Sequence, residues 1–326
     1  MLGVHFPPSV NNEEVSFYLA TEEYLAKYTN LECFFMWQVS PSVIIGRNQL
    51  MANEVNIEFC KKNNIQVYRR KSGGGCVYAD MGNVMLSYIG TGKNIQTSFK
   101  HYVGKIVSVL SALNLPLVEQ SGRNDILLDG KKISGNAFYH VNNRNVIHGT
   151  LLYDTNMENM MGSITPDSHK LETKGIKSVS QRIGLLKDYY QGDLNLLKSY
   201  IETGITAGKI VLTDPDLKEI RKIEQEYLSL DFLYGNDPLC NLSKSFYKRG
   251  CGNINIRVLV KHRYINGIEI SGDFLEIGDI KKYIIQPLIN VPYSKESIYE
   301  KFKNLDVEKH IPVPYTHLTQ PTIYSV

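Results

Sequence analysis

The chain has no C-x-x-C pair: its five cysteines, Cys33, Cys60, Cys76, Cys240 and Cys251, stand far apart and are odd in number. That spacing offers neither a disulfide framework nor a structural zinc site, and reduced thiols are the expectation. Long apolar runs are missing too. None approaches the ~18 residues needed to cross a bilayer, so no membrane partner is expected. The first ten residues lack the basic start and continuous apolar stretch of a secretory signal, which makes the cytoplasm the expected location. Charge of one sign is scarce: 36 Lys plus Arg against 33 Asp plus Glu leave +3, too small and dispersed an excess to argue for nucleic acid. What is present is ordinary globular material. Hydrophobic residues make up 43% and charged ones 21% of 326 residues, enough to bury a core in a large domain accompanied by a smaller one.

Periodicity gives the coarse layout. Residues 12–28 place Val15, Tyr18, Leu19, Glu22 and Leu25 at helical spacing, and residues 34–39 and 43–46 read as short strands around Pro41, a helix followed by a hairpin. A short helix is predicted over 53–62 and strands over 65–70 and 84–89. Phe99, Val103, Ile106, Val107, Leu110 and Leu113 mark an amphipathic helix that stops before Pro116. Asp129-Gly130 is the two-residue turn of a hairpin, and Asn142-Asn143 turns the chain again before a strand at 146–153. Helices follow at 193–203 and 217–228, then a punctuated stretch from Tyr234 to Pro238 where we place a domain boundary. Beyond it, 254–260, 264–270 and 274–277 predict a β-meander with turns at Asn266-Gly267 and Gly272, followed by helices at 280–285 and 295–302. Domains are thus expected at 1–235 and 243–313. Residues 314–326 carry no fold periodicity and read as a non-native tail, with a natural frayed tail as the alternative; on the first reading the small domain is expected to be truncated.

Two places invite chemistry. Gly73, Gly74 and Gly75 let a backbone approach a ligand closely and present N–H donors, and Arg69 and Arg70, which can clasp phosphate oxygens, immediately precede them. No G-K-[ST] follows, so the segment is not a P-loop. The second place is Ser121-Gly122-Arg123-Asn124-Asp125 followed by Gly130-Lys131-Lys132-Ile133-Ser134-Gly135. Side chains alternate along a strand, so Lys132 is expected on the face of Ser134, with a glycine beyond it, while Lys131 is expected to be a solvated charge.

The strings RRKSGGGCVYADMGN (69–83), SGRNDILLDGKKISGNAFY (121–139) and HGTLLYDTNMENM (148–160), extended by KGIKSVSQRI (174–183), together resemble lipoate–protein ligase over most of residues 12–310. The resemblance implies an α/β (α+β) fold: a large catalytic domain with mixed sheets flanked by helices, of the kind shared with biotin ligases and octanoyltransferases, and a small α+β carboxyl-terminal domain. It implies an enzyme that forms an amide bond in two steps, with lipoate, ATP and Mg2+ giving lipoyl-AMP and pyrophosphate, and the lipoyl group then passing to a lysine of an acceptor. The expected partners are apo lipoyl domains of a 2-oxoacid dehydrogenase E2 or a glycine cleavage H protein. Nucleotide contacts are carried over to Arg70, Gly75, Cys76, Val77 and Tyr78, with Gly74 in the same loop. Lys132 matches the lysine that touches both lipoate and the adenylate phosphate, and His148 and Gly149 are expected near the lipoate tunnel.

Those roles suit the chemistry. Two anions must meet when a carboxylate attacks an α-phosphate, and fixed positive charge at Lys132 and Arg70 would stabilise the transition state. Asn83 and Asn124 are candidates for polar ligand contacts and Asp125 for magnesium, with turn-capping or structural roles as the alternative. Two departures stand out: Ala79-Asp80 where many relatives carry His-Asp, and Cys76 where a small residue such as alanine is usual. Alternatives to the ligase are an octanoyl or lipoyl transferase that uses an acyl-cysteine and no ATP, biotin ligation, and a non-catalytic lipoate-binding protein. The first is disfavoured because no cysteine lies between Cys76 and Cys240.

Overall fold

The computed structural model describes residues 1–49, 51–91, 94–122, 124–164, 182–234, 242–261, 264–305 and 307–311. Residues 174–181 of the fourth string, Arg123, most of the expected boundary stretch and the expected tail lie outside the described residues. The chain divides into two compact units: Met1–Ile45, Met51–Arg70 and Cys76–Leu233 form the first, and Gly46–Leu50, Lys71–Gly75 and Tyr234–Val326 the second.

The first unit is built on an eight-stranded mixed sheet of order β11-β1-β2-β6-β10-β9-β8-β7. Its strands are β1 (Leu2–His5), β2 (Cys33–Trp37), β6 (Asn83–Gly90), β7 (Val118–Ser121), β8 (Asp125–Leu128), β9 (Lys131–Val141), β10 (Arg144–Leu152) and β11 (Gly208–Val211). Alternation along β2 sends Phe34 to one face and Phe35 and Trp37 to the other, and each face carries helices. On one side lie α1 (Val15–Tyr28) and, later in the chain, Asp214–Leu228; on the other lie Ile95–Ser111 and Leu194–Ile205. Helix α1 is buried from Val15 to Ala26, carboxylates included, because it lies between the sheet and the helix Asp214–Leu228. A smaller sheet of order β4-β3-β5 joins β3 (Ser42–Ile45), β4 (Gln66–Arg69) and β5 (Val77–Ala79). Val43, Ile45 and Tyr78 pack on the short helices α2 (Met51–Glu54) and α3 (Ile57–Lys62), and Ile44, Tyr68 and Ala79 join the core under α1.

The second unit holds an antiparallel sheet of β12 (Leu242–Lys248), β13 (Gly252–Lys261) and β14 (Tyr264–Gly272), with helical turns over Lys281–Ile285 and Gln286–Leu288 and a helix over Lys295–Phe302.

Several expectations need correction. The chain opens with β1, and β2 and β3 enter different sheets, so they form no hairpin. The helix expected over 53–62 is two helices, α2 and α3. In the second unit the third strand is β12, whereas 274–277 forms no strand. Asn266-Gly267 lies within β14, where Gly267 faces Leu259 and Ile265 faces Val260, leaving Asn266 as the extra residue of a bulge. Both turns beside β9 fall where expected: Asp129 and Gly130 have φ of 51° and 73°, Asn142 and Asn143 of 47° and 61°.

Candidate active site

Arg70 owes its position to the parallel pair β3 and β4. Ile45 stands opposite Arg69, and the Arg70 N–H donates to the Ile45 carbonyl at 3.0 Å. Its Nη1 donates to the Ile44 carbonyl at 2.9 Å, and the residue is 5% exposed. Burial pulls the guanidinium down to about 10, so it keeps its charge at neutral pH. Arg69, the last residue of β4, donates its Nε to the Leu233 carbonyl at 2.8 Å.

Val77 and Tyr78 continue the same small sheet, paired with Ile44 and Val43. The Tyr78 phenol is pushed up to about 12, chiefly by burial. Cys76, just before them, has its thiol pushed up to about 12 by burial, with Glu54 adding to the shift and Arg70 opposing it. A thiol so far above neutrality is protonated, which is the opposite of an activated nucleophile.

The glycine segment is held differently, within the second unit. Gly74, at φ 90°, donates its N–H to the Phe274 carbonyl at 3.0 Å. A Cβ on Gly73 would stand 2.6 Å from that same carbonyl oxygen and 2.9 Å from Glu276 N, so glycine there is required by packing against backbone. A Cβ on Gly75 would meet only Asp273 Cβ, at 3.8 Å. The Gly74 N–H expected as a ligand donor is therefore committed to Phe274.

Lys132 stands on β9, two residues beyond the Asp-Gly turn. Its Nζ lies 2.8 Å from Asp125 Oδ1, with the two side chains 41% and 34% exposed. A bulge alters the facing expected from the sequence. Leu127 stands opposite Lys132 but Ile126 stands opposite Ser134, so Ile133 is extra. Lys132 thus shares its face with Asp125 and Gly135, whereas Ser134 is fully buried on the other. A Cβ on Gly135 would lie 3.0 Å from Lys132 Cε and Nζ; glycine leaves that space to the lysine. The chain returns here after residue 181: Ile183 bridges to Lys132, and Gly184 N donates to the Lys132 carbonyl at 2.9 Å.

The amide nitrogens of the asparagine candidates are bonded to the protein itself, whereas the Asn83 Oδ1 is buried without a partner among the described residues. Asn83 is fully buried, and its Nδ2 donates to Thr155 Oγ1 at 3.2 Å. Thr155 Oγ1 in turn donates to Asp80 Oδ2, which also accepts the Asn156 N–H. Asn124 Nδ2 donates to the Asn136 carbonyl, and the Asn136 amide returns a bond to the Asn124 carbonyl at 3.1 Å. Asn136 Oδ1 is buried without a partner among the described residues, and a Cβ on Gly149 would stand 2.1 Å from it. Gly149 is glycine because the Asn136 amide crosses over it.

His148, 6% exposed on β10, opens onto a network that the motifs did not disclose. Its Nδ1 lies 2.8 Å from Glu22 Oε2, Ser87 Oγ donates to Glu22 Oε1 at 2.5 Å, and Trp37 Nε1 donates to Ser87 Oγ at 2.8 Å. Next along α1, Glu23 accepts from Tyr227 Oη at 2.9 Å and pairs with Lys27. Burying two carboxylates is costly unless donors surround them, and here each has them. One signal was legible: Glu22 occupies an apolar-face position of α1. Among the described residues no group of three or more His, Cys, Asp or Glu could hold a metal ion. Nor is any described helix long and apolar enough to cross a membrane.

The family described as the lipoyl protein ligase A/B catalytic domain matches residues 14–201, and that described as the bacterial lipoate protein ligase C-terminus matches residues 238–323. The chain is 32% identical over 316 residues to lipoate-protein ligase LplJ of Bacillus subtilis, covering 93% of this chain and 94% of that one. In fold it is similar to P. falciparum LipL1, solved in complex with lipoate, at TM-score 0.77 and 22% identity over 96% and 95% of the two chains. It is also similar to the bi-partite lipoate protein ligase of Thermoplasma acidophilum, described with its E2 lipoyl domain (TM-score 0.64, 21% identity, 73% and 98% covered). A lipoate-protein ligase A bound with ATP gives a TM-score of 0.60 at 21% identity, covering 72% of this chain and 99% of that one. With both parts of the chain matched and a relative of this identity spanning nearly its whole length, the protein belongs to the lipoate–protein ligase family of enzymes.

Proposed function

We propose that the protein is an ATP-dependent ligase that attaches lipoate to a lysine of an apo lipoyl domain, by way of lipoyl-AMP. In the first step a lipoate carboxylate oxygen attacks the α-phosphorus of ATP, the bond from phosphorus to the bridging oxygen breaks, and pyrophosphate leaves. In the second, the acceptor amine attacks the acyl carbon, the bond between that carbon and the phosphate oxygen breaks, AMP departs with the electron pair, and the amine loses a proton. Both steps gather negative charge on oxygen, which a preorganised cation stabilises. The observation that carries this reading is Lys132: an amine held at 2.8 Å by Asp125, partly exposed, with Gly135 leaving space beside it. Arg70 adds a buried permanent charge at the carboxyl end of β4.

Magnesium would arrive with the triphosphate, screening its charge. A cation bound chiefly by phosphate and water needs only one or two protein carboxylates, and the partly exposed Asp125 fits that requirement. The names of the relatives support the substrates, since solved ligases of this fold carry lipoate or ATP and one is described with an E2 lipoyl domain. The acceptor proposed is accordingly a dehydrogenase E2 lipoyl domain or a glycine cleavage H protein. A cysteine relay without ATP gains no support from Cys76, whose thiol is protonated.

Intact-mass analysis of an apo lipoyl domain incubated with the protein and lipoate tests this directly. A gain of one lipoyl group only with magnesium-ATP is expected. A gain without ATP would replace the ligase by a transferase, and neither lipoylation nor pyrophosphate release would leave a binding protein.

A further inference from the structure

Lys132 and Asp125 meet on one face of the β8–β9 pair, inside the first unit. Asp125 faces Gly135 in the ladder, and the bulge at Ile133 turns Lys132 to the same side. The absent side chain of Gly135 leaves a hollow in which the pair lies: a Cβ there would meet Lys132 Cε and Nζ at 3.0 Å and Asp125 Oδ1 at 3.9 Å. The ion pair itself is 2.8 Å long and partly open to solvent on both partners. Its two ends differ in freedom. Asp125 stands on a short stem beside a bracketed main chain: the Asn136 N–H donates to the Asn124 carbonyl at 2.9 Å, Asn124 Nδ2 to the Asn136 carbonyl at 2.6 Å, and Asn136 Nδ2 to the Asn124 carbonyl at 3.1 Å. Lys132 carries its charge on a flexible four-carbon stem, so any rearrangement falls to the lysine. An ammonium has three N–H donors, yet two carboxylates gathered on it leave a net negative charge and repel each other. A partly exposed ion pair is worth no more than about a fivefold change in an equilibrium, so a second carboxylate can replace the first at small cost.

We propose that Asp125 is a positioning residue that holds the Lys132 ammonium over Gly135 until the lipoate carboxylate takes its place, so that substrate entry is an exchange of one carboxylate for another. This rests on the reading that Lys132 receives lipoate, and it deepens that reading. Asp125 competes with the substrate before the reaction, and the exchange releases it as the substrate arrives. The released carboxylate is then available to the magnesium of the nucleotide.

The test is a double-mutant cycle read by calorimetric titration of lipoate into the full chain without nucleotide, so that no turnover enters the measurement. Asp125→Asn keeps the shape but removes the charge, and it should tighten lipoate binding about three- to fivefold. Asp125→Ala should move the affinity in the same direction, which guards against a new contact made by the asparagine. Lys132→Ala should weaken lipoate about tenfold, the size of one charge-assisted hydrogen bond. In the Lys132→Ala background the gain from Asp125→Asn should vanish, to less than about twofold, because no ammonium is left to exchange. Lipoamide has the ring and tail but no carboxylate, and it should bind the parent and Asp125→Asn within about twofold of each other. Lipoate affinity unchanged or weakened in both Asp125 variants would overturn the proposal. So would an equal gain with and without Lys132, which would make Asp125 a repelling charge acting by itself. A Lys132→Ala protein that binds lipoate as tightly as the parent would instead sink the underlying reading of Lys132, and the proposal with it.

Discussion

Arg70, directly after β4, and Lys132, on β9, are both cations of the first unit, yet the fold treats them in opposite ways. Arg70 is 5% exposed and its Nη1 is fixed by a main-chain carbonyl, so its charge is permanent and its position is set by the small sheet. Lys132 has a side chain 41% exposed, is held by a single carboxylate, and has the vacant Cβ position of Gly135 beside it. A buried guanidinium supplies a field, whereas a partly exposed ammonium on a flexible stem can follow charge as it moves from carboxylate to phosphate. On the proposed mechanism, burial divides the work between two like charges.

The sharpest way to break this comparison is Lys132→Ala, which should lower adenylate formation and lipoyl transfer together by at least about 100-fold, read as single-turnover rates of each half-reaction. Loss in only one half-reaction would confine the lysine to that step. Arg70→Lys keeps the charge but loses the planar fork. A fall of about tenfold in kcat/KM for ATP is expected, with a lower melting temperature because the shorter ammonium must be buried. Retained activity there would mean that Arg70 contributes architecture alone. Gly149→Ala tests the sheet that carries Lys132: its Cβ would collide with the Asn136 amide, so a loss of about 1 to 3 kcal/mol in denaturant unfolding is expected. The smallest effect should come from Cys76→Ala. Because its thiol ionises only near 12, alkylating reagents should leave it unmodified at pH 7 to 8, becoming effective only as pH approaches that value, and the variant should keep its activity.

The hairpin carrying Lys132 was legible because Asp129-Gly130 and Asn142-Asn143 both require positive φ, and each adopts it. What periodicity hid was the bulge at Ile133. A single extra residue reverses which neighbours share a face, and nothing in an apolar-polar pattern marks where it is inserted. Strands β1, β7, β11 and β12 were missed for a related reason: each is four to seven residues long, too short for alternation to rise above chance. The glycine run was visible, but its cause was not, since Gly73 is required by the backbone of residues 274–276. Glu22 was visible as well, though its partners Ser87 and His148 come from strands whose adjacency only the sheet order supplies.

Trp37 gives that last network a spectroscopic handle. It is the one tryptophan in the sequence, 3% exposed, stacked on Tyr18 with ring centroids 4.8 Å apart and hydrogen-bonded to the same Ser87 that holds Glu22. Selective excitation of the indole therefore reports on a single buried place among 21 tyrosines. Its emission maximum and quenching follow the hydrogen-bonded chain from Trp37 to His148, so the protein carries a native fluorescent reporter without any label.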